Sequence, residues 1–186
     1  MDVDEILMNT EEAMEKTLDF TKKQLDKVRT GRASASLVDS VKVDYYGSLS
    51  PLSQIASISV PDARMIVVQP WDRSTLPVIE KAIQAADLGF NPQNDGNVIR
   101  IPVPPLTEER RRDFVKVSKK IAEEGKISVR NIRRENMEAL KKGEKDKTFS
   151  EDDKTYGEEE VQKFTDDYVR KIDELQSRKE RELMED

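Results

Sequence analysis

Residues 101–114 read Ile101-Pro102-Val103-Pro104-Pro105-Leu106-Thr107-Glu108-Glu109-Arg110-Arg111-Arg112-Asp113-Phe114, and the fold turns on the change of character inside them. All eight prolines of the chain lie between Pro51 and Pro105, and none follows. Proline lacks an amide hydrogen and clashes with the preceding helical turn, so long helices exclude it, whereas proline-free charged stretches favour them. Charge respects the same border. Residues 31–105 carry 6 basic and 7 acidic side chains among 75, while the other 111 residues carry 57 charged ones. The expectation is an α+β chain in which a β-containing domain, residues 31–105, interrupts a helical domain built from residues 1–30 and 106–186.

The whole-chain composition fits that division. With 38% charged and 35% hydrophobic residues in 186, one large core is excluded. The 32 basic and 38 acidic side chains nearly cancel to −6, unlike the lopsided charge of a disordered chain. Long helices with one buried stripe suit this balance. Absent Cys removes disulfides, thiolate nucleophiles and cysteine zinc sites; absent His removes the commonest general base and metal ligand. No apolar run approaches the roughly 18 residues of a membrane span. The start Met1-Asp2-Val3-Asp4-Glu5 reads as neither signal nor transit peptide, so a cytoplasmic protein is expected.

Three helices are predicted. In the first, Asp4 to Thr30, the residues Leu7, Met14, Leu18, Thr21, Leu25 and Val28 recur at gaps of seven, four and three, and Gly31 ends it. The second starts from Thr107 as N-cap, with Glu108 and Glu109 at the positive end of its dipole. Phe114, Val117, Ile121, Ser128 and Ile132 form one seam and Val115, Ala122 and Val129 its neighbour, so that this helix can touch two partners in a three-helix bundle. After a turn near Gly143, a third helix starts at Ser150, with Asp153 three residues on as in a capping box. Its seam is Val161, Phe164, Tyr168, Ile172 and Leu175.

The middle reads as a small α+β unit. Val41, Val43 and Tyr45 alternate with polar residues as a half-buried strand; Ala56–Val60, Met65–Val68 and Val98–Ile101 suggest three more. A helix capped by Ser74 carries Val78, Ile79 and Ile83, tolerates Pro77 in its first turn and ends by Gly89. The chain crosses between the domains twice, at Arg29–Ser34 and Ile101–Leu106. Two readings fit: a paired hinge, in which Thr30 and Gly31 flex while Pro102, Pro104 and Pro105 restrict, or two fixed linkers. A double connection limits motion to rotation about one axis.

One pattern goes beyond packing. Arg112, Lys116, Lys119, Lys126, Arg130 and Arg133 follow one another at gaps of four, three, seven, four and three, with Glu123 the acidic exception. At about 100° per residue this stripe lies away from the Phe114–Ile121–Ile132 seam. A basic stripe along a rod suits a phosphate backbone, and arginine adds bidentate contacts; a merely solvated face fits the pattern as well. Gly125-Lys126-Ile127-Ser128 fails as a phosphate-binding loop, because position 120 is Lys and Ser does not follow Lys directly. Glu151-Asp152-Asp153 and Glu158-Glu159-Glu160 suit the start of a helix better than a metal. Asp72-Arg73-Ser74, at a strand-to-helix turn, reads either as a cap with a local ion pair or as a ligand contact, and the cap is the better fit. Tyr45-Tyr46-Gly47 is either an exposed strand-end contact or ordinary packing. No nucleophile–base pair appears, which argues against an enzyme.

Several motifs carry a resemblance. Arg29-Thr30-Gly31-Arg32-Ala33-Ser34, Tyr45-Tyr46-Gly47, Asp72-Arg73-Ser74, Pro104-Pro105-Leu106-Thr107-Glu108-Glu109-Arg110-Arg111 and Val129-Arg130-Asn131-Ile132-Arg133-Arg134 occur in this order along the chain. Together they resemble the bacterial ribosome recycling factors from end to end. The resemblance implies an L-shaped molecule: an elongated antiparallel three-helix bundle with an inserted β/α/β domain. It implies a monomer that binds the post-termination ribosome and large-subunit ribosomal RNA, with Arg29, Arg32, Arg110, Arg130 and Arg133 as the contacts carried over. It further implies that elongation factor G uses GTP to drive subunit separation, that initiation factor 3 acts afterwards, and that this chain needs no cofactor, metal or membrane.

Overall fold

The computed structural model describes residues 1–185. In chain order the elements are α1 (Val3–Asp26), β1 (Lys42–Tyr45), β2 (Ser48–Pro51), the single turn α2 (Leu52–Ile55), β3 (Ala56–Asp62), β4 (Met65–Pro70), α3 (Leu76–Ala85), β5 (Gln93–Asn94), β6 (Ile99–Pro102), α4 (Glu108–Lys145) and α5 (Glu151–Met184). The chain divides into two compact units, one holding Met1–Thr30 and the residues from Glu108 onward, the other Gly31–Thr107. Leu106 and Thr107 therefore go with the smaller unit, two residues past the border suggested by the prolines.

The larger unit is a three-helix bundle in which α1, α4 and α5 each pack against both others. At about 1.5 Å per residue the 24, 38 and 34 residues give rods of about 36, 57 and 51 Å. Capping boxes open two of them. Asp2 accepts from the Glu5 amide at 2.8 Å while Glu5 reaches back to the Asp2 amide. Ser150 and Asp153 make the same exchange at α5, as their spacing predicts. Val3 packs near Gly157 and Tyr168 bonds Glu15, so α1 and α5 run parallel and α4 antiparallel to both.

The core lies in two layers. Val3, Ile6, Leu7, Leu140 and Val161 form one; Met14, Ala122, Val129, Tyr168 and Ile172 form the other. Fully burying one such aliphatic side chain is worth roughly 1.5–3 kcal/mol. The buried hydroxyls satisfy themselves: Thr10, Thr21 and Thr165 each donate to the carbonyl four residues back, at 2.7–2.8 Å.

Three expectations change. Helix α1 stops at Asp26 rather than Thr30, and Val28 is buried by a closing turn in which its amide donates to the Leu25 carbonyl at 3.0 Å. A stripe position three residues past Leu25 looks alike in a helix and in such a turn. The turn expected near Gly143 comes a little later. Helix α4 runs on to Lys145, and the turn follows at residues 146–149, with the Thr148 amide donating to the Gly143 carbonyl at 2.8 Å. A Cβ at Gly143 would stand 2.2 Å from the Phe149 ring. On α4 the buried line is Ser118, Ala122, Gly125, Val129 and Leu140, close to the second seam, whereas Val117 and Ser128 of the first are exposed. Small residues, which hydrophobic counting passes over, form that line because the neighbouring helices come close. A Cβ on Gly125 would lie 2.5 Å from Thr21 Oγ1, and one on Gly157 2.7 Å from Leu140 Cδ2.

In the smaller unit an antiparallel sheet of order β3-β4-β6-β5 is joined by the hairpin β1–β2. Ile66 and Val68 of β4 pair with Ile101 and Ile99 of β6, and all four are fully buried. Ile79 and Ile83 of α3 complete the core with Val43 and Leu52. The hairpin's return strand β2 and the short β5 were not expected, since Ser48–Pro51 and Gln93–Asn94 lack apolar alternation. A two-residue turn with Tyr46 at φ 50° and Gly47 at φ 87° joins β1 to β2, the left-handed pair that such hairpins require. Ser74 does not cap α3; it lies in a 3-10 turn, Arg73–Thr75, that precedes the helix and is capped by Asp72.

Two outcomes test the bundle. Gly125→Ala gains about 1 kcal/mol in helix propensity but overpacks against Thr21, whose hydroxyl is already committed to Thr17, at about 1–3 kcal/mol. Thermal unfolding should show net destabilisation, relieved when Thr21→Ala is added; a more stable single variant would mean that the helices are not held this close. Tyr168 is buried, donates to Glu15 at 2.7 Å and is held protonated above the usual tyrosine value, chiefly by burial and then by that bond. The unfolded chain ionises near the ordinary tyrosine value of 10.0. The folded chain keeps the proton, so this stability is full below that pH and falls as pH rises beyond it. Tyr168→Phe should cost about 1 kcal/mol at neutral pH and lose less stability than the parent above pH 10 in urea titrations.

Candidate nucleic-acid interface

Helix α4 carries 13 basic and 8 acidic side chains, α5 7 basic and 12 acidic. The positive charge is thus concentrated on one rod and faces a negative neighbour. At about 100° per residue the basic stripe lies roughly 90° from the buried Ala122–Val129 line. It is therefore a flank of the helix rather than its outer pole. The first seam, used as the reference in the sequence, is itself displaced from the core.

That flank has two edges. Toward α5, Lys126 Nζ lies 2.8 Å from Asp173 and 3.4 Å from Glu123, and its side chain is only 19% exposed. The bond to Asp173 pushes the ammonium above the usual lysine value, with Glu123 adding to it. Lys119 stands 4.0 Å from Glu180, and Arg133 Nε donates to Gln162 Oε1 at 2.8 Å. Away from α5, Arg112 pairs with Glu108 at 2.6 Å and Arg130 reaches Glu123 at 3.5 Å, both well exposed. Exposed pairs of this kind contribute little, typically below about 1 kcal/mol, and exchange readily for another anion. Lys116, Lys120 and Arg134 are exposed and make no ion pair among the described residues.

The predicted stripe is therefore divided. Arg112, Lys116 and Arg130 present charge outward, Lys126 is committed inside the bundle, and Arg133 keeps its charge beside a neutral amide. Lys120 and Arg134 join the outward edge; the stripe's gap counting passed over them, although Arg134 closes one of the motifs. Arg110 starts α4 twenty residues before Arg130, which at about 100° per residue puts it roughly 160° round the helix. Arg110 and Arg130 thus do not share a face. Arg29 follows α1 in the larger unit and Arg32 is exposed in the smaller.

Gly31 and Pro102 are fixed within the smaller unit. Gly31 sits at φ +76°, where a Cβ would lie 2.9 Å from Leu106 Cγ, and its carbonyl accepts from Arg64 Nη1. Pro102 pairs with Met65 across β4–β6, and the next amide, Val103, donates to Arg64 at 2.8 Å. Gly31 is there for close approach.

The weaker motifs also resolve. Gly125-Lys126-Ile127-Ser128 lies in mid-helix, where no loop amides can turn toward a phosphate. Asp153 closes the α5 cap and Glu160 pairs with Lys163 at 2.9 Å. Among the described residues no His/Cys/Asp/Glu group could hold a metal, and no helix is long and apolar enough to cross a membrane. Tyr46, exposed at the hairpin tip, donates to Asp72 Oδ2 at 2.5 Å, and Asp72 also accepts from the Ser74 amide and hydroxyl. The motifs Tyr45-Tyr46-Gly47 and Asp72-Arg73-Ser74 are thus two halves of one clasp, with Asp72 held by Tyr46 and Ser74.

The family model for ribosome recycling factor matches residues 21–184. A ribosome-recycling factor from Nitratidesulfovibrio vulgaris is 55% identical over 185 residues, covering all of both chains. The chain belongs to the ribosome recycling factor family. A relative from Bacillus licheniformis is 52% identical over 97% of this chain and 98% of its own. The solution structure of a ribosome recycling factor superposes with a TM-score of 0.81 at 44% identity, covering 99% of this chain and 98% of that one. Models of the T. thermophilus ribosome recycling factor and the E. coli elongation factor G bound to the E. coli post-termination complex match with a TM-score of 0.68 at 45% identity, over the full length of both chains. The α+β architecture, a bundle with an inserted sheet domain, is that of the ribosome recycling factors.

The clasp is directly testable. Asp72 is held below the usual carboxylate range first by the Tyr46 hydroxyl and then by Ser74. Tyr46→Phe should raise the Asp72 titration midpoint toward the ordinary value of 3.8, read by carboxyl-carbon NMR. The stabilisation that Asp72 contributes, present at neutral pH and lost as pH falls through its folded midpoint, should shrink accordingly. An unmoved midpoint would dissolve the clasp.

Proposed function

We propose that this chain recycles ribosomes: it binds the post-termination ribosome and, with elongation factor G and GTP, separates the subunits so that mRNA and tRNA leave. The observation that carries the reading is the outward cationic edge of α4, from Arg112 to Arg134, about 33 Å at 1.5 Å per residue. A rigid rod with charge at that spacing can lie along the phosphates of large-subunit ribosomal RNA. Arg130 and Arg133 are the central contacts: Arg130 meets only an exposed carboxylate, Glu123 at 3.5 Å, and Arg133 a neutral amide. Arg110 would touch RNA elsewhere, because it does not share the Arg130 face, and Arg29 and Arg32 would add contacts of their own.

The chain itself catalyses nothing in this reading. It has neither His nor Cys, and its glycine-lysine motif lies within a helix, so nucleotide hydrolysis belongs to elongation factor G and no cofactor is needed. The smaller unit receives the push and passes it to the bundle through the two connections at Thr30 and Pro104-Pro105. Initiation factor 3 then keeps the subunits apart. The protein acts in the cytoplasm as a monomer.

Sedimentation tests this. Intact ribosomes should convert to subunits only when this protein, elongation factor G and GTP are all present. Arg130→Ala with Arg133→Ala should keep its helicity yet bind more weakly. Its log–log salt dependence should flatten by somewhat under one unit per lost contact, about 0.7–0.9. A double variant of unchanged affinity would remove α4 from the interface.

A further inference from the structure

We infer that Asp173 and Glu123 limit how many phosphates α4 can engage, by holding Lys126 inside the bundle and out of RNA contact. The inference rests on the RNA-binding reading above and adds specificity-determining residues to it. Glu123 is the one acidic residue within the basic stripe, and phosphate binding gives it no role. The structure places it in a chain of charges. Asp173 on α5 holds Lys126 at 2.8 Å, Lys126 holds Glu123 at 3.4 Å, and the other oxygen of Glu123 meets Arg130 at 3.5 Å.

The three α5-facing cations have different partners. Lys126 is clamped by two carboxylates, Lys119 has one distant carboxylate at 4.0 Å, and Arg133 has a neutral amide. A phosphate can add itself to Arg133 without displacing an anion, but to reach Lys126 it must displace two. With a side chain 19% exposed, Lys126 also meets fewer waters that could compensate during the exchange. If every cation of the stripe were available, α4 would hold any RNA duplex of suitable length. Closing the central position leaves binding dependent on how well the RNA matches the remaining few arginines. Discrimination then comes from an unfavourable element as well as from favourable contacts.

The full-length protein should be titrated with a short generic RNA duplex and with isolated large ribosomal subunits over a series of KCl concentrations. Asp173→Asn should steepen the log–log salt dependence by up to about 0.7–0.9, the value of one added phosphate contact, and strengthen generic-duplex binding several-fold. Glu123→Gln should act in the same direction from the α4 side, which covers a variant that folds poorly. Adding Lys126→Met to Asp173→Asn should return the slope to that of the parent. The inference is overturned if both carboxylate variants keep the parental slope while Arg130→Ala flattens it, or if Lys126→Met alone flattens it as much as Arg130→Ala. Were Arg130→Ala itself without effect, the RNA-binding reading would fall first and this inference with it.

Discussion

The close approach of α1 to α4 at Thr21 and Gly125 is the constraint on which the bundle depends. Helix α4 spends 38 residues on a buried line of very few side chains, several of them small. A line of Ser118, Ala122 and Gly125 offers little apolar area of its own. It becomes a core only because Met14, Leu18, Tyr168 and Ile172 reach into the space that the small residues leave. The consequence for the surface is direct. The narrower the buried line, the more of the circumference remains for charge, and α4 uses it for 13 cations. Packing and electrostatics are thus set by the same residues.

The flank position of the stripe follows. A cation about 90° from the core line stands at the rim of the α4–α5 contact, within reach of α5 carboxylates. Some of the positive charge therefore becomes internal to the bundle, and some stays outside. Such pairs add only modest stability when exposed; their larger effect is to decide which cations an incoming anion finds. Tyr168 shows the same economy across α1 and α5. Its ring fills the core, its hydroxyl meets Glu15, and Lys171 lies over its face at 4.7 Å.

Much of this was legible in the sequence. The proline distribution marked the inserted unit to within two residues, because proline tolerance is a local property of the backbone. Capping at Ser150–Asp153 was legible for the same reason, as were the seams of α1 and α5, which are rich in large apolar residues. The seam of α4 was misread because periodicity weighs Val117 and Ile121 above Gly125, whereas burial there follows interhelical distance, which a single helix does not encode. The division of the stripe was hidden for a related reason. Lys126 and Arg130 look equivalent until α5 brings Asp173 beside one of them. Likewise the clasp joins Tyr46 to Asp72 across 26 residues, and only the folded hairpin makes the two motifs one feature.

The placement of acidic charge reconciles a net charge of −6 with a candidate RNA surface. Repulsion from a polyanion is felt locally, since charges beyond about 8–10 Å are largely screened at physiological salt. What matters is the sign of the surface presented, and the excess of acid is kept on α1 and α5 while α4 carries the excess of base. Part of the attraction between these rods is met inside the bundle, where Asp173 of α5 holds Lys126 of α4 at 2.8 Å. A more basic protein would bind RNA more tightly but less selectively, and would be released less readily. The acid-rich α5 thus moderates the attraction that the cations of α4 alone would exert on a polyanion.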